Sequence, residues 1–151
     1  CGVVTAPIRD YLAQLGQDDP SKFVLADSRE RINSFRNVCV KPNERESLLG
    51  SANWNRTVFA TRGEHGIVLT RPGKEPLNVP AYPVTGPTDI VGAGDSCSAG
   101  IACGMVSGLK EDEAAAFGNL VASITVQQIG TTGTASPQQV RDRWRVVRES
   151  R

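Results

Sequence analysis

The stretch that most constrains this chain is Asp89-Ile90-Val91-Gly92-Ala93-Gly94-Asp95, which runs into Ser96-Cys97-Ser98-Ala99-Gly100. It sets two glycines and two carboxylates where a small-residue, apolar helix begins. A helix leaves the N–H groups of its first turn without intrahelical partners. Gly92 and Gly94 let successive N–H groups converge with no Cβ in the way, so the turn is an anion cradle suited to phosphate. Asp95 stands beside it, within reach of whatever attacks that phosphate. A plainer reading makes this a tight loop with Asp95 as an ordinary acidic first-turn residue. Two phosphate motifs are excluded. Cys97 fills the third glycine position of a dinucleotide fingerprint, and no Gly-Lys-Ser/Thr follows to make a P-loop.

Length and charge narrow the rest. A chain of 151 residues fits one domain with its own core. A net charge of +1 supplies no basic field, so nucleic acid is not an expected partner. No apolar run is long enough to span a membrane, and no charged-then-apolar leader opens the chain, so a soluble protein is expected. The first residue is Cys1, and Gly2-Val3-Val4 reads as the end of a strand already under way; the expectation is a start inside a longer protein. Cys1, Cys39, Cys97 and Cys103 form no C-x-x-C, and His65 is the sole histidine, so buried reduced thiols in a cytoplasmic protein are expected.

Periodicity alternates between strand and helix. Ile8, Leu12 and Leu15 mark a helix after Thr5-Ala6-Pro7, with Gly16 as its expected stop. Short strands are predicted at Phe23–Ala26 and Val38–Val40, the second followed by a helix from Glu44 to Leu49 that Gly50 stops or interrupts. Polar residues thus fall at strand C-termini, where open α/β sheets bind ligands. Thr57–Ala60 and Ile67–Leu69 predict a hairpin, and Leu77–Ala81 a further strand. Helices follow at about Gly94–Ser107, capped by Gly108, and Glu111–Gln128, with Phe117, Leu120, Val121 and Ile124 on one side. Ser136-Pro137-Gln138-Gln139 is a capping box opening a last helix with the stripe Val140, Trp144 and Val147. The fold class is α/β, layered. The span from Leu49 to Thr57 leaves little room for a crossover between parallel strands, so either the connection is abnormal or residues are missing there.

Two further groups carry chemistry. Asn43-Glu44-Arg45-Glu46 places an amide and a carboxylate on one face of a first helical turn, suited to a water-shelled Mg²⁺ beside phosphates or, more plainly, to a helix cap with solvated glutamates. Thr61-Arg62-Gly63-Glu64-His65-Gly66 reads as a hairpin turn, or as a hydroxyl and backbone amides near nucleotide phosphates. His65 is read as a surface turn residue with no catalytic role.

Taken together, the Gly-Ala-Gly-Asp string, Lys41-Pro42 with the N-x-x-E, and the Thr-x-Gly-x-x-Gly resemble the ribokinase-like (PfkB) carbohydrate kinases. The resemblance runs from Val24-Leu25-Ala26-Asp27-Ser28-Arg29 to Ser136-Pro137. Pro76–Pro80 and Ile129-Gly130-Thr131 look most like the heptose-phosphate kinase branch. It implies a ribokinase-like fold with a central, mainly parallel sheet flanked by helices, of which residues 1–151 form the C-terminal, nucleotide-binding part; the N-terminal sugar-binding and lid part is absent.

The resemblance also implies ATP-dependent phosphorylation of a sugar or sugar-phosphate hydroxyl. Asp95 would be the base, Gly92, Ala93 and Gly94 the anion hole, and Asn43, Thr61, Gly63, Gly66 and Asn119 nucleotide contacts. Asn119 reads equally as a helix-face amide. Asn43 and Glu46 would arrange Mg²⁺ through water. Asp89, Val91, Ile129 and Gly130 match positions associated with a monovalent cation such as K⁺, although Val91 stands where a threonine is common. The implied isolated fragment is inactive, and a homodimer is left open. A nucleoside kinase of the same fold and a non-catalytic nucleotide-binding module are the competing readings.

Overall fold

The computed structural model describes residues 3–48 and 54–149. In chain order they form α1 (Ala6–Asp18), β1 (Leu25–Ala26), β2 (Cys39–Val40), α2 (Glu44–Ser47), β3 (Val58–Thr61), β4 (Ile67–Thr70), β5 (Leu77–Val79), α3 (Ala93–Val106), α4 (Glu111–Thr125) and α5 (Pro137–Glu149). The strands hydrogen-bond in the order β1-β2-β3-β4-β5. Leu25 pairs with Cys39 and Val40 with Val58, both in parallel. The result is the expected α/β fold, a mainly parallel sheet with flanking helices. The link from β3 to β4, residues 62–66, is far shorter than the dozen or so residues a parallel crossover needs, which makes these two strands a hairpin. The chain divides into two compact units: residues up to Arg62 with Val68–Leu77, and Gly63–Ile67 with Asn78 onward.

In the first unit, Ala26, Ile32, Phe35, Val38, Val40 and Val58 form the core, flanked by Leu12, Val24, Trp54 and Ala60. Ile32 and Val40 are wholly buried, and removing side chains of this size from water stabilises by about 1.5–3 kcal/mol each. Gly16 does not stop α1, which continues to Asp18. A Cβ there would lie 2.0 Å from the Asn37 carbonyl oxygen, so glycine is needed for close approach. Asn37 itself takes a left-handed φ of 57° and donates from Nδ2 to the Ala13 carbonyl. The parallel β2–β3 pairing is achieved with one described helical turn, α2, between the strands. Residues 49–53, where the cramped connection was expected, lie outside the described residues, as does Cys1.

In the second unit, α3 and α4 pack through small residues. A Cβ on Gly100 would sit 2.9 Å from the Gly118 Cα, and one on Gly104 3.0 Å from the Ala114 Cα. Gly108, at φ +85°, ends α3 as expected, its N–H donating to the Met105 carbonyl while Leu109 donates to Gly104. Helix α4 stops at Thr125, three residues before the predicted end, because the Gln127 and Gln128 amides turn back to Ile124 and Thr125. The Ser136–Gln139 capping box forms: Ser136 N donates to Gln139 Oε1 at 2.8 Å, and Gln139 N to Ser136 Oγ at 3.3 Å. Val147 is buried with Tyr82 and Leu120, and Val140 packs against them. Trp144, expected in that stripe, is 44% exposed. Cys39 and Cys97 are buried and form no disulfide among the described residues, whereas Cys103 is exposed on α3. Among the described residues no helix is long and apolar enough to cross a membrane.

Candidate functional site

The Gly-Ala-Gly turn opens α3 with Gly92 as N-cap, in a left-handed conformation at φ 77°. A side chain there would be strained, and its Cβ would lie 2.7 Å from Thr132 Cγ2. Gly92, rather than Gly94, is therefore the position that demands glycine by backbone conformation. Ala93 N–H donates to the Ile90 carbonyl at 3.1 Å, and Ser96 N–H to Gly92 at 2.9 Å. Ala93, predicted in the anion hole, thus has its amide engaged by the turn. The amides of Gly94 and Asp95 have no acceptor in the chain among the described residues. Asp95 is exposed in the first turn of α3.

Asp89 ties this turn to the loop after α4. Its Oδ1 accepts from Val91 N–H at 3.0 Å and its Oδ2 from Gly130 N–H at 2.9 Å, while its own N–H donates to Val126 at 2.7 Å. The Val91 amide, then the Gly130 amide, hold its carboxyl below the usual value. The same loop is pinned by Gln128, whose side-chain amide donates to the Thr134 carbonyl and accepts from its N–H. Of the residues predicted around a monovalent cation, Asp89, Val91 and Gly130 do come together, with Ile129 adjacent and 57% exposed. Val91 and Gly130 present N–H groups to the carboxylate, however, and each of its oxygens is used in accepting them.

Beside these loops lies a cleft of about 760 Å³ within the second unit, with Gly63, His65, Tyr82, Pro83, Asn119 and Ser123 in its walls. Gly63 and Gly66 have φ of 53° and 88°. A Cβ on Gly66 would come within 2.2 Å of the Val79 carbonyl oxygen, so this glycine lets the turn lie against the end of β5. Asn119 is buried, and its Nδ2 donates to the carbonyls of Val79 and Pro80, both at 3.1 Å. Its donors serve the wall, which favours the helix-face reading of this side chain over a donating contact to a ligand.

Asn43, Glu46 and Thr61 belong to the first unit. Asn43 is the N-cap of α2 in a full capping box: Oδ1 accepts from Glu46 N–H at 2.9 Å, and Glu46 Oε2 accepts from Asn43 N–H at 2.8 Å. Glu46 Oε1 also accepts from Asn43 Nδ2 at 2.8 Å. Glu46 is only 4% exposed, so the solvated glutamate of the plainer reading is Glu44, and Glu46 is a buried part of the cap. Thr61 lies next to this corner, bridged in parallel to Asn43 and donating through N–H and Oγ1 to the Pro42 carbonyl. Lys41, at the end of β2, is buried with its Nζ 2.8 Å from Asp27 Oδ2, at the end of β1.

Sequence reading missed Tyr82, Pro83, Thr88 and Ser123 as cleft residues. The available signal was the spacing of Asn119, Ala122, Ser123 and Val126, a helix face at i, i+3, i+4 and i+7.

Comparison with known proteins sets this geometry in a class. Ribokinase of Arabidopsis thaliana, solved in complex with ribose and ATP, superposes with a TM-score of 0.73 at 22% identity over 91% of this chain and 51% of its own. A nucleoside kinase of Burkholderia thailandensis, solved with inosine, gives 0.75 at 18% identity over 94% of this chain and 53% of its own. The fold is therefore that of the ribokinase-like kinases. A family model described as pfkB family carbohydrate kinase matches residues 13–139, and the chain belongs to that family. Among its relatives is the bifunctional protein HldE of Azotobacter vinelandii, 38% identical over 81 residues, which are 54% of this chain and 17% of HldE. An uncharacterized sugar kinase of Buchnera aphidicola is 38% identical over 74 residues, 49% of this chain and 23% of that one. The chain thus spans about half the length of the solved structures and a smaller share of these relatives.

Proposed function

We propose that this chain supplies the nucleotide-binding and proton-accepting part of a kinase that transfers the γ-phosphoryl group of ATP to a hydroxyl of a sugar or sugar phosphate, with a heptose phosphate the first acceptor to try. The observation that carries the reading is the start of α3, where free amides at Gly94 and Asp95 accompany an exposed carboxylate in one helical turn. Family membership supports it. ATP supplies the electrophilic phosphorus and a leaving group. The cleft beside Asn119 and Pro83 is of a size to take a base, and the left-handed Gly92 lets the turn that opens α3 lie against Thr132.

In this reading Asp95 orients the acceptor hydroxyl and takes its proton as the new O–P bond forms and the bond to the β-phosphate oxygen breaks. A loose transition state asks little deprotonation until late, so orientation is most of the carboxylate's task. The Gly94 and Asp95 amides, with the macrodipole of α3 behind them, stabilise charge on the transferring group.

Asn43 and Glu46 spend their polar groups on one another, so the buried Glu46 would meet a hydrated Mg²⁺ only through water. Asp89 uses both carboxylate oxygens to accept the Val91 and Gly130 amides, so a K⁺ there would have to share them. The test is steady-state kinetics of Asp95→Asn in the full-length protein beside a MgATP titration. Near-normal turnover removes Asp95 from the mechanism.

A further inference from the structure

The wall that α4 gives to the cleft uses its own donors. Asn119 Nδ2 is held by Val79 and Pro80, and Ser123 Oγ donates to the Leu120 carbonyl at 2.7 Å. What the Ser123 hydroxyl accepts comes from α5. Arg143 donates from Nε to Ser123 Oγ at 3.0 Å and from Nη2 to the carbonyl of Pro83. Ser123 and Pro83 both line the cleft, whereas Arg143 lines a separate hollow of about 290 Å³ together with Tyr82, Pro83 and Val147. One guanidinium therefore joins two pieces of cleft wall that lie forty positions apart in sequence, without entering the cleft.

We propose that Arg143 is a positioning residue for the nucleotide, setting the spacing between the Ser123 face of α4 and the Tyr82–Pro83 segment and so the fit of the slot to a base. The inference rests on the phosphoryl-transfer reading for its ligand. The planar fork is what makes the link specific: two N–H groups in fixed geometry reach a hydroxyl and a carbonyl at once, which a lysine ammonium on a flexible stem does not reproduce. Both acceptors are neutral, so the role is directional, and loss of the fork frees the Pro83 segment while leaving the α3 turn untouched.

The experiment compares the full-length protein with Arg143→Met, Arg143→Lys and Ser123→Ala, using calorimetric titration with MgATP and steady-state kinetics. Arg143→Met is expected to raise the Kd and KM for MgATP about tenfold with kcat within about twofold. Arg143→Lys is expected to fall between, and Ser123→Ala, which keeps the Pro83 link, to shift Kd about twofold to threefold. A folded Arg143→Met with wild-type Kd overturns the proposal, as does a fall in kcat at unchanged KM. If Arg143→Met does not fold, the other two variants decide, and wild-type Kd in both overturns it. Failure of the unmodified protein to bind MgATP defeats the functional reading itself, and this inference with it, which is a different outcome from equal binding by protein and variant.

Discussion

Helices α2 and α3 both begin beside acidic residues, and they spend the same chemical groups in opposite ways. At α2, Asn43 sits in extended backbone at φ −82° and exchanges hydrogen bonds with a buried Glu46, so the end of the helix is closed on itself. At α3, Gly92 takes φ 77°, no side chain caps the turn, and Asp95 points a free carboxylate outward beside two unclaimed amides. The first arrangement stabilises the chain. The second leaves stabilisation unrealised, and a turn built that way is complete only when something anionic arrives. The contrast separates two motifs that look alike when written as polar residues at a helix start.

The largest effect should fall on the open end. Asp95→Asn in the full-length protein is expected to lower kcat by about a hundredfold or more while leaving MgATP affinity within a few-fold, as for a positioned general base. Its melting temperature should stay close to that of the parent, because Asp95 has no cap bond to lose. A large loss of stability instead would make it a structural residue like Glu46.

Glu46→Ala should show the reverse pattern, a cost of about 2 kcal/mol in denaturant unfolding from losing both cap bonds and a buried side chain. If the variant keeps its stability but needs more Mg²⁺ for activity, the closed corner is a metal site after all. Gly92→Ala comes next, at about 1 kcal/mol or more from a left-handed backbone and the overlap with Thr132, together with weaker MgATP binding. Unchanged affinity in that variant would detach the left-handed turn from phosphate binding.

The helix ends were legible because their chemistry is local. A capping box is written within four residues, and Ser136–Gln139 reads as one, while at Asn43–Glu46 the Asn43 cap is legible but the buried Glu46 that closes the box is not. The alternation that yields the α/β fold and the Gly108 stop could be read as well. What escaped depends on residues distant in sequence. Gly16 looks like a helix stop until the Asn37 carbonyl is seen 2.0 Å from its absent Cβ. Asn119 looks free to meet a ligand until Val79 and Pro80 are seen holding its amide. The paired hydrogen bonds from Arg143 to Ser123 and Pro83 have no local signature at all. Glycine and asparagine each serve several geometries, and only the fold chooses among them.

The smallest expected effect concerns the link between the open turn and its neighbouring loop. Asp89 accepts from the Val91 and Gly130 amides, which lower its carboxyl from the ordinary value. A carboxyl lowered on folding contributes fully above its unfolded value of roughly 3.9, and that contribution fades as pH falls through the lower folded value. The link should therefore hold at neutral pH and loosen only in acid. Because Asp89 is open to solvent, the change should appear locally and not as global unfolding. Following the Val91 and Gly130 amide resonances during an acid titration reads it directly: both should shift together below the ordinary carboxylate range, and neither should do so in Asp89→Asn. If the two amides titrate near or above that range, or independently of one another, the carboxylate does not bracket the turn, and the open end of α3 must owe its shape to Gly92 and Thr132 alone.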